Sequence, residues 1–194
     1  ERAAKRFNLD PKKDLFYFRT LHSLALTCSD IRPEQVMQDE NYRELSQKIG
    51  VGLNVQRVNS FDEDIPEATK TSDPILGLIN LARMRKVPLR QQYNETPIET
   101  EWNIVTYVDQ CLTSYKENME MYDFTDMLES FPKEGHITCP NFDLCFVDEA
   151  QDLSPLQWDI AHLLDERSKR MYCAGDDDQA IYRWAGADVD HFIG

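Results

Sequence analysis

The strongest constraint on the fold lies towards the end of the chain, where the apolar run Phe142–Val147 (FDLCFV) stops at two acids, Asp148 and Glu149. A run that is nearly continuous in apolar residues, and not alternating, suits a parallel strand covered on both faces. Ser154 and Pro155 then supply a cap and a first helical residue, so Ser154–Asp165 is expected to be a helix. Arg170–Ala174 (RMYCA) is a second short strand pattern, ended by Gly175. Strand, helix, strand is a βαβ unit, and it makes this part of the chain α/β.

The preceding sequence differs in texture. Leu15–Phe18 (LFYF) reads as a short buried strand, and Thr20–Leu26 as a turn into a helix capped by Thr20 or Ser23. From Ser29 to Pro140 the pattern is polar and helical in pieces. Pro33–Ile49 is expected to be one helix with proline in its first turn and Gly50 as its stop. Ile75–Lys86 follows Pro74, places apolar residues on one face and ends basic, with Pro88 just beyond. Glu101–Met119 is the longest amphipathic stretch, and Tyr122–Phe131 is a further helix ended by Pro132. Asn54–Ser72 is loop-like, and beyond a weak VGLNVQRV pattern this region has almost no strand signal. It reads as a helical subdomain.

Composition excludes several classes. At 41% hydrophobic the 194 residues have enough for a core and too much for a disordered chain. No stretch reaches the roughly 18 apolar residues of a membrane span, and the charged opening ERAAKRFNLDPKKD lacks the apolar centre of an export signal. The five cysteines, Cys28, Cys111, Cys139, Cys145 and Cys173, form no CxxC pair and are expected to be free thiols in a reducing, cytoplasmic setting. His136 and Cys139 are close in sequence but have no partner pair at zinc-finger spacing. The net charge of −14 argues against phosphate affinity over the whole surface. Basic residues do cluster at Arg2–Lys13 and Arg83–Arg90, each a solvated face or a local nucleic-acid contact.

The strand ends carry the chemistry. Open α/β sheets bind ligands at the carboxyl ends of their strands. Mg²⁺ takes oxygen ligands and keeps several waters, so Asp148 suits holding it on a nucleotide's phosphates. Glu149 suits taking a proton from an attacking water. An acidic turn that merely closes a strand would show the same two residues, so the pair alone leaves both readings open.

The second strand is followed by Asp176–Asp178 and then Gln179. In a βαβ unit the two strand ends can lie side by side, which would bring Gln179 near phosphates held by Asp148. A glutamine can bond both an attacking water and a phosphate oxygen. Tyr182, Arg183 and Trp184 follow, and aromatic rings offer stacking platforms for the bases of a single strand. Core packing is the competing reading of Tyr182 and Trp184.

Taken together, these segments resemble the UvrD/Rep/PcrA family of superfamily 1 DNA helicases. FDLCFVDEAQDLSPLQ (Phe142–Gln157) resembles the family's Walker B motif II, and GDDDQAIYRWAGAD (Gly175–Asp188) its motif III. TLHSLAL (Thr20–Leu26) resembles motif Ib, and YDFTDML (Tyr122–Leu128) the helix that precedes motif II. The four occur in the family's order. The resemblance implies an α/β fold, a partial RecA-like P-loop NTPase parallel sheet with a mostly α-helical inserted subdomain. Residues 1–28 and 141–194 would belong to the motor domain 1A and residues 29–140 to the insert 1B.

The resemblance also implies roles. Asp148 would bind Mg²⁺ with ATP, Glu149 would activate water and Gln179 would sense the γ-phosphate, with Gln151, Asp152 and Asp176 supporting the site. Trp184 would stack on a base, with Tyr182 and Arg183 beside it, and Thr20 and His22 would touch the DNA backbone. A helix-start histidine satisfied within the fold is the competing reading of His22. The partners implied are ATP, single-stranded DNA and single-strand/duplex junctions, with 3′ to 5′ movement. Where the family usually has arginine after the motif III tryptophan, this chain has Ala185, and Arg183 is the candidate substitute. No GxxxxGK[ST] phosphate loop occurs in the 194 residues. The family places that loop before motif Ib and the second motor domain's arginines after motif III. The chain is therefore expected to be an excerpt that alone neither binds ATP tightly nor unwinds DNA. The competing class is a helicase-derived DNA- or protein-binding module without ATPase activity.

Overall fold

A computed structural model describes Arg6, Asp10, Lys13 and residues 16–54, 73–176 and 187–188. Helix α1 (Leu21–Cys28) starts where expected, with the Thr20 hydroxyl accepting the Ser23 N–H at 3.3 Å. The run before it is not a buried strand. Phe16 and Tyr17 lie in a turn, and Phe18 is 77% exposed. Three consecutive large rings cannot all point inward from a turn, and no strand among the described residues pairs with them. Leu15 lies outside the described residues.

The expected single helix over Pro33–Ile49 is two pieces. A 3-10 turn, Pro33–Gln35, is followed by extended backbone at Val36, and α2 (Asp39–Ile49) begins afterwards. Tertiary pairing causes the break: the Met37 N–H donates to the Tyr122 carbonyl and the Tyr122 N–H to the Gln35 carbonyl, both at 2.8 Å. Gly50 stops α2 in the left-handed region, at φ 68°. A Cβ there would meet nothing within 4 Å, so the cost of replacing it is conformational. Gly50→Ala is expected to destabilise by about 1–2 kcal/mol in urea unfolding; an unchanged midpoint would contradict this.

Helix α3 (Pro74–Met84) is opened by Asp73, whose carboxylate accepts the Ile75 and Leu76 N–H groups at 3.0 Å each and the Asn54 N–H at 2.8 Å. Pro88 does not simply terminate this segment; it caps α4 (Leu89–Glu95). Helix α5 (Trp102–Met119) matches its expected span and buries Val105, Val108, Leu112 and Tyr115 along one face. Asp123 caps α6 (Phe124–Ser130), with Asp126 completing a reciprocal capping box. Pro132 was expected to end this helix. Instead the backbone widens into a π-type segment, Phe131–Gly135, and a last helical turn, α7, spans His136–Thr138. Proline has no N–H to give an α-helical ladder, and wider winding accommodates it.

The βαβ unit forms as read. Strand β1 (Cys145–Val147) pairs in parallel with β2 (Met171–Cys173), Phe146 opposite Tyr172, and α8 (Pro155–Glu166) connects them. Ser154 caps α8 in a box with Gln157. The expectation of a strand buried on both faces fails: Phe146 is 70% exposed and stacks on the half-exposed Tyr172 with ring centroids 5.4 Å apart. The described sheet has two strands, and no described layer covers that face.

Two main cores result. One gathers Leu45 of α2, Ile75, Leu76 and Ile79 of α3 and the buried face of α5. The other joins Leu24 and Cys28 of α1, Met84 of α3, Leu128 and Phe131 with Leu156, Ile160 and Leu164 of α8. All five cysteines are free thiols, and burial together with the neighbouring Cys28 pushes the Cys139 thiol up to about 12. No helix among the described residues is long and apolar enough to cross a membrane.

Candidate functional site

The two strand ends are tied to one another directly. The Ala174 N–H donates to the Val147 carbonyl at 2.8 Å, and the Ala150 N–H donates to the Ala174 carbonyl at 2.9 Å. Asp148 and Glu149 therefore emerge at the sheet edge where the chain leaves β2, both exposed to solvent. Glu149 has left-handed backbone, φ 51° and ψ 41°, an uncommon conformation for a side-chain-bearing residue. It turns the chain sharply from β1 into the 3-10 turn Ala150–Asp152. A small cluster of Val147, Ala150, Leu153, Trp158 and Ala161 underlies this turn.

Gln151 sits beneath the acids at 1% exposure. Its Nε2 donates to Glu149 Oε2 at 2.6 Å, and its Oε1 accepts the Asp176 N–H at 3.1 Å. The expected supporting residues Gln151 and Asp176 are thus brought together with Glu149. The Asp148 carboxylate accepts the Glu149 N–H at 3.1 Å. Asp152 is half-buried, and burial followed by the Glu149 charge raises its carboxyl above the usual range. No hydrogen bond among the described residues reaches its buried Oδ1. The Asp188 N–H returns to the Leu153 carbonyl at 2.8 Å, so the far end of the second motif also meets this turn. Gln179, Tyr182, Arg183 and Trp184 lie outside the described residues, as does Ala185.

Thr20 is exposed at the start of α1, whereas His22 faces inward at 8% exposure, edge-on to the Phe124 ring with centroids 6.3 Å apart. The Arg83–Arg90 cluster is engaged within the chain. Arg83 meets Asp123, Asp126 and Glu129, Arg85 meets Glu95 at 2.7 Å, Lys86 meets Asp159 at 2.5 Å, and Arg90 lies 4.6 Å over the Trp102 ring. Most of Arg2–Lys13 lies outside the described residues.

The sequence reading missed the cluster built around Arg83. Arg83 bonds Asp123 at 2.8 Å, Asp126 at 2.5 Å and Glu129 at 3.0 Å, while Lys116 bonds Asp123 and Asp126 at 2.7 Å each. The usable signal was the Asp123/Asp126 spacing of a capping box just ahead of an apolar run. Those acids of the YDFTDML segment join α3, α5 and α6.

Comparison with known proteins agrees with the family resemblance. The UvrD/REP helicase N-terminal domain matches residues 1–193. The ATP-dependent DNA helicase PcrA of Leuconostoc citreum is 26% identical over 202 residues, covering 100% of this chain and 26% of that protein. The putative ATP-dependent DNA helicase YjcD of Bacillus subtilis (strain 168) is 28% identical over 213 residues, with the same coverage of 100% and 26%. PcrA of Bacillus subtilis (strain 168) is 25% identical over 205 residues, covering 95% of this chain and 26% of its own length. The chain thus spans 26% of the length of each of these relatives. With the family matched from end to end and its strand-end acids standing at one sheet edge, the chain belongs to the UvrD/REP helicase N-terminal domain family.

Proposed function

We propose that the protein containing this chain is an ATP-dependent DNA helicase that couples ATP hydrolysis to 3′ to 5′ movement on single-stranded DNA. The observation that carries this reading is the joining of the β1 and β2 ends through Val147, Ala150 and Ala174, which sets the acids of one motif beside the start of the other. Family membership and the helicase names of the relatives support it. The chain, on this reading, comprises parts of a RecA-like motor domain, residues 1–28 and 141–194, with residues 29–140 inserted.

Asp148 fits a magnesium role: it is a hard oxygen donor, exposed at a strand's carboxyl end. Mg²⁺ held there with ATP would neutralise charge on the transferring phosphoryl group. Glu149 accepts the proton of the attacking water, and Gln151 fixes the direction of its carboxylate. Gln179 contacts the γ-phosphate, while Asp152 and Asp176 buttress the turn. Trp184 and Tyr182 stack on bases, Arg183 meets phosphate, and Thr20 and His22 lie along the DNA backbone. His22 reaches DNA on this reading only if the start of α1 shifts on binding, because its ring faces inward.

The test uses the full-length parent protein. ATP turnover is expected to rise on adding single-stranded DNA, with strand displacement from a 3′-tailed duplex. DNA binding without DNA-stimulated turnover would favour a binding module in place of a motor, and displacement only from a 5′-tailed duplex would overturn the polarity. Residues 1–194 alone, which contain no GxxxxGK[ST] segment, are expected to show no turnover.

A further inference from the structure

We propose that Gln151 is a positioning residue that makes the Glu149 carboxylate answer to the loop following β2. The proposal rests on the reading of Glu149 as the proton acceptor in ATP hydrolysis.

The geometry leaves the Gln151 amide one orientation. A carboxylate only accepts and a backbone N–H only donates, so Nε2 must face Glu149 and Oε1 must face Asp176. Both bonds are present, at 2.6 and 3.1 Å, on a side chain that is 1% exposed. Rotating the amide to release one partner forfeits the other, and water cannot easily replace either at such burial. The two contacts are therefore linked: a movement of the Asp176 peptide pulls on the same rigid amide that holds Glu149.

The placement gives that linkage a use. Glu149 is exposed, and left-handed backbone directs its side chain, so the carboxylate needs a partner to hold one direction. Asp176 is the first residue of the polar run that leads to Gln179 and the aromatic residues beyond it. Gln151 comes from the β1 side and Asp176 from the β2 side, 25 residues apart in sequence. Engagement of the β2 loop would thus be felt at the carboxylate without any contact between Glu149 and DNA.

The experiment is a double-variant cycle in the full-length protein, reading ATP turnover with and without single-stranded DNA, the KM for ATP, DNA affinity and thermal melting. Gln151→Met keeps the side chain's length and burial but removes both bonds. It is expected to lower DNA-stimulated kcat by about 10²-fold, as misplaced catalytic groups do, with KM and DNA affinity within a few-fold. Combined with Glu149→Gln it should add little, because it acts through Glu149. Gln151→Asn keeps an amide in the same place but is one methylene too short to span both Glu149 and the Asp176 N–H. It should also lose turnover while still melting cooperatively, which decides the matter if Gln151→Met does not fold. A Gln151→Met effect that multiplies fully with that of Glu149→Gln, or unchanged turnover in folded Gln151→Met or Gln151→Asn, would overturn the proposal. Unimpaired Glu149→Gln would instead overturn the proton-acceptor reading beneath it.

Discussion

Glu149→Gln in the full-length protein is expected to lower DNA-stimulated ATP turnover by about 10²–10⁴-fold, the range of a lost general base. The substitution is nearly isosteric. The new amide oxygen still accepts from Gln151 Nε2, so the bond at 2.6 Å has a successor and the turn beneath it keeps its packing. What disappears is the ability to take a proton from water. ATP and single-stranded DNA should therefore bind with near-parental affinity while single-turnover hydrolysis slows. Hydrolysis at the parental rate would refute the general-base assignment. Weak ATP binding with a normal rate for the bound fraction would place Glu149 in binding instead.

The largest stability effect should come from Arg83→Met. Arg83 faces three carboxylates, from Asp123, Asp126 and Glu129, and among the described residues only Lys116 shares the first two. Asp123 is 3% exposed as a side chain, so it cannot turn to water when its partner is removed. Removing one member of such a buried set typically costs about 3–5 kcal/mol, because the remaining charge is stranded. Methionine keeps much of the apolar stem's packing, so the loss reports mainly on charge. Burial works to raise the Asp123 carboxyl, and Arg83 and Lys116 more than offset it, holding the group below the usual carboxylate range. A group depressed in the folded state stabilises above its unfolded value of about 3.9 and loses that contribution as pH falls through the folded value. Urea unfolding should thus show a large difference between parent and Arg83→Met at pH 7 and a smaller one near pH 3. Equal midpoints at pH 7 would show that Lys116 alone suffices.

What was legible in the sequence was local. The start of α8 needs only Ser154, Pro155 and Gln157, and α5 needs only its apolar face at helical spacing. Both were readable, as was the parallel pairing of the two strands around α8. Long-range partners set the rest. Nothing near Val36 announces that Tyr122 will draw it out of a helix, and nothing near Pro132 distinguishes a stop from a widened turn. LFYF and FDLCFV looked buried because apolar runs usually are. Phe18 and Phe146 show that composition alone does not supply the covering layer. At the candidate site, Asp148 and Glu149 stand at the strand end as read. The Gln151 bridge to Asp176 joins residues that no motif spacing could have paired.

Helix α3 has a further consequence. Its first turns are bricks of one core, through Ile75, Leu76 and Ile79, while Met84 at its far end belongs to the other. Arg83, one residue earlier, clamps that same end to α6. Neither core can dissolve without unravelling a helix the other depends on. The helical part and the strand-bearing part are thus expected to be lost together in a single urea transition. A helical piece cut away from the strand-bearing part would keep α3 whole but leave Met84 without the core it packs into.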